Sequence, residues 1–211
     1  MRIGIYGGTF NPVHAGHVGI ARRAIEDLSL DRLLVIPTSL SPFKADSHEP
    51  DMPWDRMELV EAAFRDVEKA TVDMREINRG GVSYTIDTVR EIAAENPGAE
   101  LFFIIGEDIV GDLAKWRNAV ELASLCKFKS YPRTRESSSE IRRLFANAGV
   151  TVNPDEKIAS AVRAGIVRKG GYCPCRIPKT PEFFCPCDEF KGQLADRSYH
   201  GPCHCRLYVK P

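Results

Sequence analysis

Apolar residues follow two rhythms along the first 130 or so positions, and the two alternate. Ile3, Ile5 and Tyr6 open a short run that predicts a buried strand, and Val18, Ala21, Ile25 and Leu28 then recur at helical spacing. Leu33–Ile36 is a second apolar run closed by Pro37, and Met57, Val60 and Phe64 form another helical stripe. Ala70–Met74 predicts a strand, Ile86–Ala93 a helix, and Leu101–Ile105 the most continuous strand of the chain. Strands alternating with helices predict an α/β fold, a Rossmann-like parallel sheet covered on both faces. In such sheets ligands bind at the carboxyl ends of the strands.

The pattern changes after residue 135. Ser137 is followed three residues on by Glu140, which predicts a capping box for a helix carrying Ile141, Leu144 and Phe145. Asn153-Pro154-Asp155-Glu156 predicts a second helix start, with Asn153 as cap, Pro154 at the first position and acids in the first turn. Ile158, Val162 and Ile166 line that helix, and Gly170-Gly171 ends it. From there to Pro211 no periodicity is visible, and such a segment is expected to need an external staple. Beyond the C-x-C pairs there is no internal repeat and no low-complexity tract.

Composition narrows the partners. With 43% hydrophobic residues in 211, the chain can bury the core of one large domain, or of one ordinary domain and a small one. Lys plus Arg equals Asp plus Glu at 29 each, so nothing draws the chain generically to nucleic acid or an anionic membrane. Neither is expected as a partner, and any phosphate must be held by a local site. No segment reaches the length of a membrane-spanning helix, and the opening MRIGIYGGTF lacks the apolar stretch and cleavage site of a signal peptide. A cytoplasmic location with reduced thiols is therefore expected. Of seven cysteines, Cys126 stands alone and six lie between Cys173 and Cys205, which points to metal or redox chemistry in the tail.

Residues 7–17 read GGTFNPVHAGH, between a predicted strand and a predicted helix. Gly7 and Gly8 permit a sharp turn and close approach of backbone N–H groups to a ligand. A helix N-terminus carries partial positive charge and unpaired donors that suit phosphate. His14 and His17 are three apart, share one face of an opening turn, and can donate to one polyphosphate. The motif is neither G-x-G-x-x-G nor G-x-x-x-x-G-K-[ST], which disfavours dinucleotide-binding and Walker sites. A zinc pair lacks a third ligand nearby.

This stretch resembles the signature of the nicotinate-nucleotide adenylyltransferases, within the HIGH-type nucleotidylyltransferases. The likeness continues in order through Ser41-Pro42-Phe43-Lys44, Arg56-Met57, Arg79–Thr88, Gly106-Glu107-Asp108, Trp116 and Ser137–Arg142, and covers about residues 1–142. It implies in-line attack of the phosphate of nicotinate mononucleotide on the α-phosphate of ATP, with Mg2+ and no covalent nucleophile. By the same resemblance His14, His17 and Lys44 contact phosphates, and Gly7, Gly8, Thr9 and Phe10 cradle ATP. Asp108, Ser138, Ser139 and Arg142 help hold that nucleotide, and Thr85 and Trp116 seat the nicotinate. The chain departs from the pattern at Phe43, where the family has histidine, and after Tyr131-Pro132-Arg133, where a further helix and strand are usual.

The tail reads C-P-C (173, 175), C-P-C (185, 187) and C-H-C (203, 205). Four thiolates suffice for a tetrahedral zinc site or a four-iron cluster, and two left over suggest a dithiol–disulfide couple. From about Glu140 to Pro211, notably in NPDEKIASAVRAGI, GYCPCR, CPC and CHCRLYV, the chain resembles the catalytic chain of ferredoxin–thioredoxin reductase. That resemblance implies a [4Fe–4S] cluster on Cys173, Cys185, Cys187 and Cys203. It implies a redox disulfide between Cys175, the exposed nucleophile, and Cys205, with His204 shuttling protons. A ferredoxin-like donor and a thioredoxin-like protein would be the partners.

The expectation is thus a fusion: a nucleotidylyltransferase-like domain over 1–135, then a small α-rich iron–sulfur domain over 136–211. Two alternatives stand beside a bifunctional enzyme. One is a disulfide reductase on a degenerate nucleotide-binding module, the other an adenylyltransferase with a structural zinc tail.

Overall fold

A computed structural model describes residues 1–43, 52–132 and 136–211. Its elements begin with β1 (Arg2–Gly8), α1 (Ala15–Asp27), β2 (Arg32–Pro37), α2 (Arg56–Phe64), β3 (Ala70–Val72), α3 (Arg75–Arg79) and α4 (Thr85–Glu95). There follow β4 (Glu100–Gly106), a 3-10 helix over Glu107–Lys115, α5 (Ala119–Leu125), β5 (Lys127–Tyr131), α6 (Ser138–Asn147), β6 (Thr151–Val152) and α7 (Glu156–Arg168). A 3-10 turn at Pro181–Phe183, α8 (Asp188–Ala195), β7 (Gly201–Pro202) and β8 (Tyr208–Lys210) complete the chain. Contacts divide these into two compact units that interleave along the sequence. One comprises Met1–Thr9, Val18–Ser47 and Val67–Thr134, the other Phe10–His17, His48–Asp66 and Arg135–Pro211.

The first unit is built on a five-stranded sheet of order β3-β2-β1-β4-β5, parallel throughout. Its inner strands are apolar without a break because helices cover both faces, and Ile3, Ile5, Leu33, Val35, Ile36 and Ile104 are fully buried. Ile86, Val89 and Ile92 of α4 and Leu122 of α5 pack on Ile3, Ile5, Leu34, Ile36, Phe103 and Ile105. Burial of each such side chain contributes about 1.5–3 kcal/mol. Chain winding reverses between β1 and β4, so their carboxyl ends form the switch point at which α/β sheets bind ligands. The predicted strands and helices of this unit are present. α3, the 3-10 helix, α5 and β5 are additions that periodicity does not reveal. The lysines of β5, Lys127 and Lys129, are typical of a sheet edge, where charge discourages further pairing.

In the second unit α6 is capped as predicted, Ser137 Oγ accepting from the N–H of Glu140 at 3.4 Å. For α7 the prediction is corrected: the cap is Asp155, whose Oδ1 accepts from Lys157 N at 3.0 Å and Ile158 N at 3.3 Å. Asn153 is held instead beside the small antiparallel sheet of order β6-β8-β7, its N–H donating to Leu207 O at 2.7 Å and its amide to Arg206 O at 2.8 Å. Pro154 therefore precedes the cap. The tail also supplies its own core, contrary to the aperiodic reading. Phe145 of α6 meets Phe190 of α8 and Tyr208 of β8 edge-on at 5.9 and 5.0 Å, and Phe190 stacks on Tyr208. Three aromatics from segments far apart in sequence leave no local period. No described helix is long and apolar enough to cross a membrane.

Candidate active site

In the first unit β1 carries Gly7, Gly8 and Thr9 to the switch point. A Cβ on Gly7 would stand 3.2 Å from Phe103 Cζ, so this backbone packs closely on β4, and Gly8 O accepts from Thr38 N at 2.9 Å. Beyond β4, Asp108 opens the 3-10 helix with its carboxylate turned back over Gly106, where a Cβ would overlap it. Burial and the Asp108 charge both push the Tyr6 hydroxyl above its usual range, so Tyr6 stays protonated. Thr85 begins α4, and Trp116 ends the 3-10 helix, packed edge-on against Phe103 at 5.7 Å and Phe128 at 6.2 Å. Ser83, part of the Arg79–Thr88 motif but given no role there, is buried and ties two loops together. Its Oγ accepts from Ser39 N at 3.1 Å, and its N–H donates to Leu40 O at 2.9 Å. Lys44 lies outside the described residues.

The second unit holds the rest of the loop. Phe10 takes a left-handed backbone (φ 47°) and is buried edge-on to His17 at 5.0 Å and to Phe64 at 5.9 Å. A non-glycine residue in that region costs about 1–3 kcal/mol, which the aromatic contacts must hold in place. The imidazoles of His14 and His17 lie together with centroids 3.8 Å apart. His17 N donates to His14 O at 3.0 Å, and His14 N donates to His17 Nδ1 at 3.2 Å. An Nδ1 that accepts leaves the hydrogen of a neutral imidazole on Nε2. Burial, and then the His14 charge, hold the His17 pKa well below its usual value, so His17 is that neutral tautomer.

The serine–arginine motif supports this loop from α6. Ser138 Oγ donates to Pro12 O at 2.9 Å, and the buried Arg142 guanidinium donates to Asn11 O and, at 3.1 Å, to Ser139 Oγ. The resemblance assigns Ser138, Ser139 and Arg142 to the nucleotide. In the structure their described partners are the loop backbone and one another. Two residues that the motif reading missed complete the surroundings: Glu136 stands 3.6 Å from His14 Nδ1 and accepts from Lys191 Nζ of α8 at 2.6 Å. Lys191 lies 55 positions from Glu136, and no local pattern signals the pair.

The tail thiols are gathered as well. Cys203 Sγ lies 3.6 Å from Cys205 Sγ and accepts from Tyr208 N at 3.3 Å, and Cys205 also hydrogen-bonds Cys173. Cys205 has one S–H and two thiol neighbours. Hydrogen bonding with Cys205 favours the thiolate of Cys173 or of Cys203, one at a time, and keeps Cys205 itself protonated. Cys185 is buried beside the Tyr208 hydroxyl, and Cys187 is the N-terminal cap of α8. Cys175 alone of the six is exposed, as is His204. Among the described residues no group of three or more His, Cys, Asp or Glu is placed to hold a metal ion, so this arrangement does not support the four-iron cluster expected on Cys173, Cys185, Cys187 and Cys203.

A parallel sheet with a glycine loop at its switch point, leading into a histidine pair, defines an α/β nucleotide-binding protein. The chain belongs to the cytidylyltransferase-like family, whose model matches residues 5–168, a span that ends before the first tail cysteine. A probable nicotinate-nucleotide adenylyltransferase of Aliarcobacter butzleri is 36% identical over 143 residues, 67% of this chain and 77% of that protein. One of Synechococcus sp. (strain JA-3-3Ab) is 34% identical over 189 residues, 87% of this chain and 91% of that protein. Among solved structures, a Vibrio parahaemolyticus protein provisionally assigned the same activity superposes with a TM-score of 0.54 at 27% identity. That match covers 70% of this chain and 88% of the other. The fold is shared with the nicotinic acid mononucleotide adenylyltransferase of Plasmodium falciparum, with a TM-score of 0.53 at 15% identity over 68% of this chain and 83% of that one.

Proposed function

We propose that the chain transfers the AMP moiety of ATP to nicotinate mononucleotide, a step of NAD biosynthesis. The mononucleotide phosphate oxygen attacks the α-phosphorus in line and the new P–O bond forms. The bond from the α-phosphorus to the α,β-bridging oxygen breaks, and pyrophosphate leaves with that oxygen and the electron pair. The observation that carries this reading is the His14–His17 pair, in which the His14 N–H donates to Nδ1 of a neutral His17 and sets the ring hydrogen on Nε2, the tautomer suited to donate to a phosphate oxygen. By resemblance Gly7 and Gly8, which the structure places at the end of β1, cradle ATP. Asp108, Thr85 and Trp116 are the residues by which resemblance seats ATP and the nicotinate ring. Mg2+ on the triphosphate would neutralise part of its charge. Pyrophosphate release with ATP and nicotinate mononucleotide, compared with nicotinamide mononucleotide, tests the reading. Activity with neither acceptor sinks it.

A second reading concerns the tail, and the observation that favours it is the contact of Cys203 with Cys205, hydrogen-bonded in turn to Cys173, beside the exposed Cys175. It supports thiol–disulfide exchange of the ferredoxin–thioredoxin reductase type. The Cys175 thiolate attacks a disulfide of a thioredoxin-like partner, and Cys205 resolves the mixed disulfide. Two electrons and two protons pass to the partner, and Cys175–Cys205 becomes the disulfide. A ferredoxin-like donor delivering two single electrons would restore the thiols. Iron and zinc analysis of anaerobically purified protein decides the metal: about four irons per chain supports a [4Fe–4S] cluster, one zinc a structural tail.

A further inference from the structure

Glu136 joins the nucleotide loop to the tail helix within the second unit. Its Oε1 accepts from Lys191 Nζ at 2.6 Å, and its Oε2 lies 3.6 Å from His14 Nδ1. Lys191 is one turn into α8, its N–H donating to Cys187 O at 3.0 Å and its ammonium also reaching Asp188 at 2.6 Å. The three side chains are shielded from water: 8% of His14, 22% of Glu136 and 16% of Lys191 is exposed. In such surroundings a charged pair is held in one geometry rather than dissolved into solvent. The carboxylate lies on the Nδ1 side of the His14 ring. Without the ammonium, nothing described on α8 keeps Glu136 turned to the loop. Lys191 is in turn placed by the burial of its neighbours Phe190 and Leu194, which fix α8 against Phe145 and Tyr208.

We propose that Lys191 and Glu136 act in series as positioning residues for His14, so that the cysteine-bearing tail helix is a working part of the adenylyl-transfer site. The inference rests on the adenylyltransferase reading, but its geometry can be tested apart from turnover. The described route from Lys191 to His14 runs through the Glu136 carboxylate that its ammonium holds.

The test compares wild type with Lys191→Met, Lys191→Arg, Glu136→Gln and the double variant Glu136→Gln/Lys191→Met. Pyrophosphate release and nitrogen-15 NMR of the histidine rings are recorded on full-length protein whose folding is checked by thermal unfolding. Lys191→Met and Glu136→Gln each lower kcat about 10- to 100-fold, the cost of a misplaced group, with KM for ATP within about twofold. Lys191→Arg restores most of kcat. The double variant is no worse than the poorer single one, because the residues act as one unit. In the spectra Lys191→Met moves the His14 signals and leaves those of His17 in place. Wild-type kcat in Lys191→Met, or multiplied losses in the double variant, would overturn the relay while leaving adenylyl transfer intact. If wild type releases no pyrophosphate, the functional reading fails and the spectra still decide the relay: unmoved His14 signals sink it.

Discussion

The backbone N–H of His14 donates to Nδ1 of His17 at 3.2 Å, so one histidine of the loop sets the tautomer of the other. The bond makes Nε2–H of His17 a fixed donor. Replacing His17 with alanine removes one donor from the leaving group, a loss of about 10²–10³ in kcat. The measurement is initial-rate pyrophosphate release, and a His17→Ala enzyme within about threefold of wild type would contradict the assignment.

The same residue leaves a mark on stability. Burial and the His14 charge hold the folded-state pKa of His17 well below the unfolded value near 6.5. The unfolded chain then binds the extra proton first. The contribution of neutral His17 is complete above the unfolded value and is lost as the pH falls from there toward the lowered one. Urea midpoints taken from pH 7.5 down to 5 should fall more steeply for wild type than for His17→Gln. Parallel curves would show that His17 titrates normally.

Arg142 is buried and donates to Asn11 O and Ser139 Oγ. Arg142→Met keeps most of the volume but leaves the loop carbonyl without this partner, and the expected cost is about 1–3 kcal/mol in chemical denaturation. ATP affinity should drop alongside stability because the loop loses its tie. Arg142→Lys, with a single point charge in place of the planar fork, should recover only part of both.

Gly171 ends α7 at φ +90°, and a Cβ there would stand 2.6 Å from Cζ of the buried Phe184. The ring is fixed edge-on to Tyr172 at 5.1 Å and has nowhere to move. Backbone strain and overlap add, so Gly171→Ala should lower stability by about 2–4 kcal/mol. Gly192→Ala on α8, where a Cβ meets nothing within 4 Å, is the control and should be neutral or slightly stabilising.

Thiol access gives a chemical readout of the tail. Cys175 is exposed, and the other six cysteines are buried. Burial, and then the neighbouring Cys173, raise the Cys175 thiol above its ordinary value, so the reaction is slow at neutral pH and quickens toward pH 9. Iodoacetamide on native protein should modify Cys175 before any other residue, and all seven once denatured. Peptide mass mapping that finds Cys203 or Cys205 first would refute the burial pattern.

Local sequence carries a large part of this molecule. Parallel strands buried on both faces must be apolar throughout, so β1, β2 and β4 are visible as runs, and the 3.6-residue period reveals α1, α4, α6 and α7. The Gly7–His17 motif combines a turn, a helix start and two histidines within eleven residues, which is why it speaks for phosphate without any tertiary information. The Ser137 cap is equally local. By contrast, Asp155 takes the cap of α7 because pairing with Leu207 O keeps Asn153 beside the small sheet, and that partner is 54 residues away.

What the sequence by itself determined is the parallel-sheet architecture, the phosphate loop and the presence of six crowded tail cysteines. Tertiary structure alone decided that Phe10–His17 belongs with the tail in one compact unit, that Arg142 holds the loop, and that Lys191 reaches His14 through Glu136. It also decided that Cys203 lies 3.6 Å from Cys205, and among the described residues it forms no group placed to hold a metal ion. The reason is physical. Periodicity records which side of its own element a residue faces, whereas these relations depend on where elements separated by 50 to 130 residues come to pack, and nothing local in the chain encodes that distance.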